Sequence, residues 1–389
     1  MTSDLPLFPV TTVGSWPRPE SVVRAQREWR AGRLSADEWR RVADDAVVAS
    51  LRAQEEAGAD LVTDGEQRRD NFYSFVTEKL DGVRLMTLSE MLDVVEDRAG
   101  FEKLLQTLDV PAFSIRNPTC VGKISRREPL AVEELRFLQR HTDRPVKVPL
   151  PGPYLLTRAM WVREVTRAAY PSKEALAEDV VAILRQELIE LADAGAAFVQ
   201  FDEPVLTEVA FNPSGTRTFM CAALAARADP AEELEWAVSL INRVVADVPN
   251  RPRVGVHVCR GNWSRDETTL LSGGYAPLAP YLARLDVDQL VLEFATPRAG
   301  DLSALLSDVG VSTGKEIGLG VVNPRTDEIE SPEAIADRVR AVAAYLRPER
   351  IFLNPDCGFA TFAARPMNPA EVARRKIDAM AEAARRLRG

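Results

Sequence analysis

His257 and Cys259 stand two residues apart in Arg253-Val254-Gly255-Val256-His257-Val258-Cys259, an apolar run that reads as a β-strand. Residues i and i+2 of a strand point to one face, so this imidazole and thiol reach the same point in space. The chain has only two histidines, His141 and His257, so any chemistry that needs imidazole has few places to go. A second thiol, Cys357, follows the apolar run Ile351–Asn354 and precedes Gly358, which allows close backbone approach. Glu293 ends a third such run, Gln289–Phe294, where a carboxylate is costly to bury without a proton, a cation or hydrogen bonds. Singly, these are a packed histidine beside a buried thiol, a structural cysteine and a salt-bridged glutamate. Together, His257, Cys259, Glu293 and Cys357 supply four ligands for tetrahedral Zn²⁺. Such a site carries one net negative charge, which is unchanged when an incoming thiolate replaces the carboxylate. It therefore suits lowering a thiol's pKa while keeping the sulfur electron-rich, which is chemistry for alkylating sulfur. The remaining cysteines, Cys120 and Cys221, fall at no predicted strand end and are assigned to packing.

Eight short β-rich runs must position these groups: Val10–Val13, Asp60–Asp64, Val146–Val148, Phe198–Asp202, Arg253–Val258, Gln289–Phe294, Ile317–Val321 and Ile351–Asn354. Several are continuously apolar, as parallel strands covered on both faces are. Between them lie amphipathic helices at Ala36–Ala57, Ser172–Ala194, Pro230–Ala246, Pro332–Leu346 and Pro369–Leu387, opened by serine or proline signals. This alternation predicts an α/β fold, a closed (β/α)8 TIM barrel, whose active site gathers at the carboxyl ends of the strands. Those ends read Ser15, Glu66, Asp202, His257 with Cys259, Glu293 and Cys357. No GxGxxG follows the first strand, which argues against a dinucleotide site. The long gap between the second and third strands holds a helix at Leu88–Arg98 and an extra strand at Thr119–Ile124. The expectation is one barrel over residues 1–389, with residues 71–144 inserted in it as a flap near its mouth.

Composition narrows the function further. With 49 basic against 58 acidic residues, the formal charge is −9, which excludes a broad nucleic-acid-binding face. No apolar run reaches membrane-spanning length, and the first residues carry no secretory pattern. Four cysteines in 389 residues make no disulfide framework, so the expected location is a reducing cytoplasm.

The run Thr11-Thr12-Val13-Gly14-Ser15-Trp16-Pro17-Arg18 resembles the opening of the catalytic barrel of cobalamin-independent methionine synthases. Asp64-Gly65-Glu66-Gln67-Arg68-Arg69, Gln200-Phe201-Asp202-Glu203-Pro204, His257-Val258-Cys259-Arg260-Gly261-Asn262, Leu292-Glu293-Phe294 and Asn354-Pro355-Asp356-Cys357-Gly358 continue the likeness in family order. The six motifs span nearly the whole chain. The resemblance implies a zinc-dependent methyltransferase that converts homocysteine to methionine. It puts His257, Cys259, Glu293 and Cys357 on the zinc, Ser15 on the homocysteine carboxylate, and Glu66 and Asp202 on its ammonium group. A hydroxyl for a carboxylate and two carboxylates for a cation make a consistent amino-acid clamp. The plain alternatives are a salt bridge from Glu66 to Arg68 or Arg69, and a helix cap for Asp202.

Three departures mark this chain within the family. The resemblance covers the catalytic barrel alone, and the expectation is a single barrel without the second one of the longer synthases. Arg325 stands where those enzymes have a loop histidine, and an arginine is a poor general acid. The tryptophan expected to stack on a pterin does not align, although Trp161 lies nearby. The sequence is similar to the short branch, which takes methyl from a corrinoid or a donor protein, and to epoxyalkane:coenzyme M transferases. A different thiol or electrophile therefore stays open, as does a barrel that only binds metal or thiol. Phe72, Tyr73 and Phe75, just after the Glu66 motif, are candidates for the electrophile's pocket or for core packing.

Overall fold

The computed structural model describes residues 5–94, 116–211, 229–300, 305–306 and 313–389. Cys221 and the end of the expected Leu88–Arg98 helix lie outside these residues. Eight strands occur among the described residues: β1 (Leu80–Thr87), β2 (Arg116–Arg126), β3 (Lys147–Pro151), β4 (Phe198–Asp202), β5 (Arg253–Val258), β6 (Gln289–Leu292), β7 (Glu316–Val322) and β8 (Ile351–Pro355). β3 to β8 form a parallel sheet in sequential order. Isolated parallel bridges complete the ring: Val10 pairs with Leu353, Thr11 with Leu61, and Val62 with Val146. The first two expected strands thus shrink to bridged segments, and they fill two of the eight positions of a (β/α)8 barrel.

Burial explains why these runs are strands. Every residue of β3, β4, β6 and β8 is buried, as the continuous apolar runs require. The covering helices begin at recognisable signals. Ser35 and Glu38 form a capping box on the helix α2 (Ala36–Glu56), which follows α1 (Glu20–Arg30). Ser172, Asp229 and Ser331 cap the helices Lys173–Asp193, Pro230–Val245 and Pro332–Ala343. Glu203 caps in a way that strand and helix patterning do not reveal. Its carboxylate accepts from the backbone of Tyr154 (2.8 Å) and Leu155 (3.0 Å), the first turn of the helix Pro153–Met160.

β1 and β2 pair antiparallel and lie between the second and third barrel positions. Gly82, with φ +76°, sits so close to Lys123 that a Cβ would lie 2.2 Å from its carbonyl oxygen. Cys120, on β2, is fully buried and its thiol meets the carbonyl of Gly122 at 3.1 Å, in keeping with packing. His141 is half-buried, stacked on Phe137 at 4.4 Å, and stands apart from the strand ends. Among the described residues, no helix is long and apolar enough to cross a membrane.

Candidate active site

Register sets the level of each functional group. Asp202, the last residue of β4, pairs directly with His257 on β5. Val258 pairs with Leu292, so Cys259 and Glu293 leave neighbouring strands at one height. Ser15, Glu66, Asp202, His257, Cys259 and Cys357 all line one pocket at the carboxyl ends of the strands. Its volume is about 60 Å³, room for only a few water-sized groups. Val13, Phe72, Tyr73, Pro204, Asn262, Trp263, Gly358, Thr361 and Phe362 complete the wall, so its rim is largely apolar. Phe75 instead packs under Arg69, whose guanidinium lies 4.1 Å from the ring, and Trp161 is buried outside the pocket.

One ligand atom each from His257, Cys259 and Cys357 lies within 4.8 Å of the others, and all three residues are buried. The His257 Nδ1 faces the carbonyl of Val291 at 3.1 Å, while Nε2 has no hydrogen-bond partner. That arrangement fixes the tautomer that leaves Nε2 free to ligate. The two thiols lie together, and the hydrogen bond between them pulls the Cys259 pKa far down and pushes that of Cys357 up. Two soft sulfurs and an unpartnered imidazole nitrogen fit a borderline-soft divalent cation.

Glu293 is buried beside this group, but its carboxylate is engaged elsewhere. Oε1 accepts from Arg325 Nη2 at 2.5 Å, Oε2 lies 3.2 Å from Arg298 and 3.6 Å from Arg260. Burial raises the carboxyl's pKa, yet the three guanidiniums outweigh it and hold the group below its ordinary value. Arg325 is itself buried. It also donates to the Gly261 carbonyl at 2.8 Å and faces Asp356 at 3.9 Å. Asp356 accepts from the backbone of Phe294 and Ala295, both at 2.8 Å, and so ties the end of β8 to that of β6.

Glu66 and Asp202 are less well compensated. Glu66 has φ +53° and follows Gly65 at φ +64°, a left-handed turn stapled by Asp64 Oδ1 to the Glu66 amide at 2.9 Å. Arg18 holds the Glu66 carbonyl at 2.7 Å, but its guanidinium is 3.8 Å from the carboxylate, and Arg69 is 4.0 Å away. Arg68 bonds Asp44 instead. The Oε2 of Glu66 has no hydrogen-bond partner among the described residues. Burial outweighs the two arginines and pushes the Glu66 pKa up to about 7. Asp202 accepts from Gln200 at 2.7 Å, and burial lifts its pKa to about 6. Ser15 accepts from the Ala360 amide at 3.3 Å, and a Cβ on Gly358 would lie 2.1 Å from its hydroxyl oxygen. Only glycine fits at Gly358.

The sequence brought forward the polar groups in this pocket except Asn262, Trp263 and Thr361. Asn262 donates to the Gly358 carbonyl (2.7 Å) and the Thr361 hydroxyl (2.8 Å), joining the loops after β5 and β8. Its signal was the Arg260-Gly261-Asn262 extension of the histidine motif. Arg260 and Arg298 were missed as partners of Glu293.

A family model described as the catalytic domain of cobalamin-independent synthase matches residues 8–386. The methionine synthase of Thermococcus kodakarensis is 33% identical over 356 residues, covering 91% of this chain and 88% of that protein. That of Saccharolobus solfataricus is 31% identical over 358 residues, covering 92% and 89%. Among solved structures, a B12-independent methionine synthase from a Shewanella species, in complex with selenomethionine, shares the fold. Its TM-score is 0.72 at 24% identity, over 98% of both chains.

Proposed function

The chain belongs to the cobalamin-independent methionine synthase family through its catalytic domain, and from that premise we propose that it methylates the thiol of homocysteine to give methionine. The observation that supports this most is a convergence. A buried His257, Cys259 and Cys357 cluster shares one small pocket with two carboxylates that lack full counter-charge.

In this reading His257, Cys259 and Cys357 hold Zn²⁺, with Glu293 as the fourth ligand. Bound there, Zn²⁺ supplies a Lewis acid that keeps a substrate thiol as thiolate at neutral pH. The chain's own residues do the rest. Glu66 and Asp202 receive the substrate ammonium and Ser15 its carboxylate, which aims the sulfur at the metal-ligand cluster. The apolar rim of Phe72, Tyr73, Trp263 and Phe362 keeps water from the reacting carbon. The sulfur then forms a bond to the methyl carbon as the carbon's bond to the donor breaks. The thiol proton goes to solvent, and the departing group takes one from solvent. No imidazole is left for that proton transfer in this reading, because His257 Nδ1 faces the Val291 carbonyl, Nε2 would hold the metal, and His141 lies elsewhere. Arg325 is held inward by Glu293 and Gly261, and a guanidinium keeps its proton, so it is not the source.

The segment inserted at 71–144 starts at the working face of the barrel in this reading, since Phe72 and Tyr73 line the pocket. Two carboxylates in the clamp favour an amino-acid thiol over a sulfonate thiol such as coenzyme M. The test is a matrix of thiols (homocysteine, coenzyme M, cysteine) against donors (methyl-folate mono- and triglutamate, methylcobalamin, a small epoxide). It is scored by thioether formed, with zinc measured on the same purified protein. Homocysteine should be the preferred thiol, at about one zinc per chain. Full activity in metal-free protein, or a preference for coenzyme M, overturns the proposal.

A further inference from the structure

The thiol pocket is the smaller of two cavities that share a wall. The larger cavity has a volume of about 390 Å³, within the range of sites for medium-sized ligands. Its lining comes from α1 (Val23, Gln26, Arg27, Arg30), from Asp70 and Asn71, from Arg116, and from Phe362 to Ala364. Phe362 lines both cavities. An antiparallel bridge between Asn71 and Phe362, with the Ala363 amide donating to the Asp70 carbonyl at 2.8 Å, builds the wall between them. Phe72 and Tyr73 project to one side of that wall, and Asp70 and Asn71 to the other.

The charges in the larger cavity are uneven. Arg30 is spent: it pairs with Asp70 at 3.1 Å and with Glu78 at 2.7 Å. Asp70's other oxygen takes the Asn71 amide and the Ser74 hydroxyl. Arg27 and Arg116 are exposed, and neither side chain makes an ion pair or hydrogen bond among the described residues. A chain with a formal charge of −9 thus presents two uncommitted guanidiniums in a cavity one side chain away from its reactive thiol pocket.

We propose that this cavity binds the anionic body of the alkyl donor, a group bearing carboxylates or phosphates. Arg27 and Arg116 are its counter-ions, and Phe362 is the wall past which the alkyl group reaches the sulfur. Guanidiniums suit both anions because their paired N–H groups match two oxygens at once. The inference rests on the alkyl-transfer reading and narrows its second substrate: a small uncharged electrophile has no use for this cavity.

Binding of two tail probes, triglutamate peptide for carboxylates and pyrophosphate for phosphates, is measured calorimetrically, with triglutamine as the uncharged control. The wild type should bind one of the charged probes and not triglutamine, and the probe bound identifies the anion. R27E/R116E should weaken that binding about tenfold or more, and R27Q/R116Q by less. Both variants alter exposed side chains, and a melting curve with zinc content establishes that each is folded. With an anionic methyl donor, R27E/R116E should raise the donor KM about tenfold while the homocysteine KM stays the same. The cavity proposal is overturned if neither charged probe binds the wild type, if both variants bind as well as it does, or if an uncharged epoxide is the preferred donor. Binding that behaves as expected, in a protein that forms no thioether with any donor, overturns the alkyl-transfer reading and leaves an anion site without that role.

Discussion

Two sets of buried carboxylates stand at the carboxyl ends of the barrel strands, and the protein treats them oppositely. Glu293 is surrounded by Arg260, Arg298 and Arg325 and is held as a firm anion. Glu66 has two arginines at 3.8 and 4.0 Å, and Asp202 has His257, Gln200 and Lys147; in both cases burial wins and lifts the pKa, to about 7 and about 6. Leaving buried carboxylates short of counter-charge costs folding free energy that a purely structural design would avoid. In the proposed function, that pair receives the substrate's ammonium group. Glu293, already compensated, is set up to be exchanged between partners without a change of charge state. The lesson is that neutralisation, more than burial, decides which buried carboxylates keep an ordinary charge state.

The largest expected effect falls on the sulfur side, which both carboxylate sets serve. Cys357→Ser should lower zinc affinity by more than about 100-fold, measured by competition with a chelator. Retention of stoichiometric zinc by that variant would remove Cys357 from the ligand set. Next is Arg325→Met, which leaves Glu293 without its shortest partner inside the barrel. Breaking a buried pair on one side should cost about 3–5 kcal/mol in urea unfolding. A loss below about 1 kcal/mol would show that Arg260 and Arg298 suffice and that the contrast is weaker than drawn.

Asp202→Asn probes the other set. The homocysteine KM should rise about 30- to 100-fold, as expected for loss of a charge-assisted hydrogen bond, while coenzyme M should be affected far less. Equal effects on both thiols would sink the amino-acid clamp.

The smallest effect is on pH. Raised carboxyl pKa values favour the neutral form in the fold, so this contribution to stability is complete at low pH and is lost as pH rises through about 6 to 7. Ammonium binding needs the ionised forms. The homocysteine KM should therefore rise as pH falls below about 7, by up to about tenfold per unit, and Glu66→Gln should flatten the profile. A wild-type KM that is level from pH 5 to 8 would place both groups in the ionised state throughout and erase the comparison.

Much of the mouth was legible because strand periodicity is local. His257 and Cys259 share a face by the two-residue repeat, and β4 and β5 begin and end where the apolar runs do. Cys357 and Gly358 could be placed from the strand that precedes them. The partners of Glu293 were not legible, because Arg260, Arg298 and Arg325 come from loops after three different strands. Only closure of the barrel brings them together. Arg325 illustrates the limit: sequence put it in the place of a donor-facing histidine, and the fold turns it inward onto Glu293. Phe362 and Thr361 gave no signal, since a loop's contribution to a pocket depends on where the loop crosses. The first two strands were overdrawn, because apolar runs of this length register as strands even where only one or two residues on each pair.

The seam where Val10 meets Leu353 has a consequence for how the molecule comes apart. Ser15 reaches the Ala360 amide across 345 residues of sequence, and Arg18 reaches the Ala360 carbonyl across 342. Contacts so distant along the chain carry the full entropic burden of loop closure and form late. The pocket therefore has no partial form: fraying at either side of the seam dismantles the serine, the glutamate turn and the Cys357 loop at once. Any ligand seated there is linked to opening of the whole ring, so ligand occupancy should slow proteolysis across the entire chain as well as at the mouth.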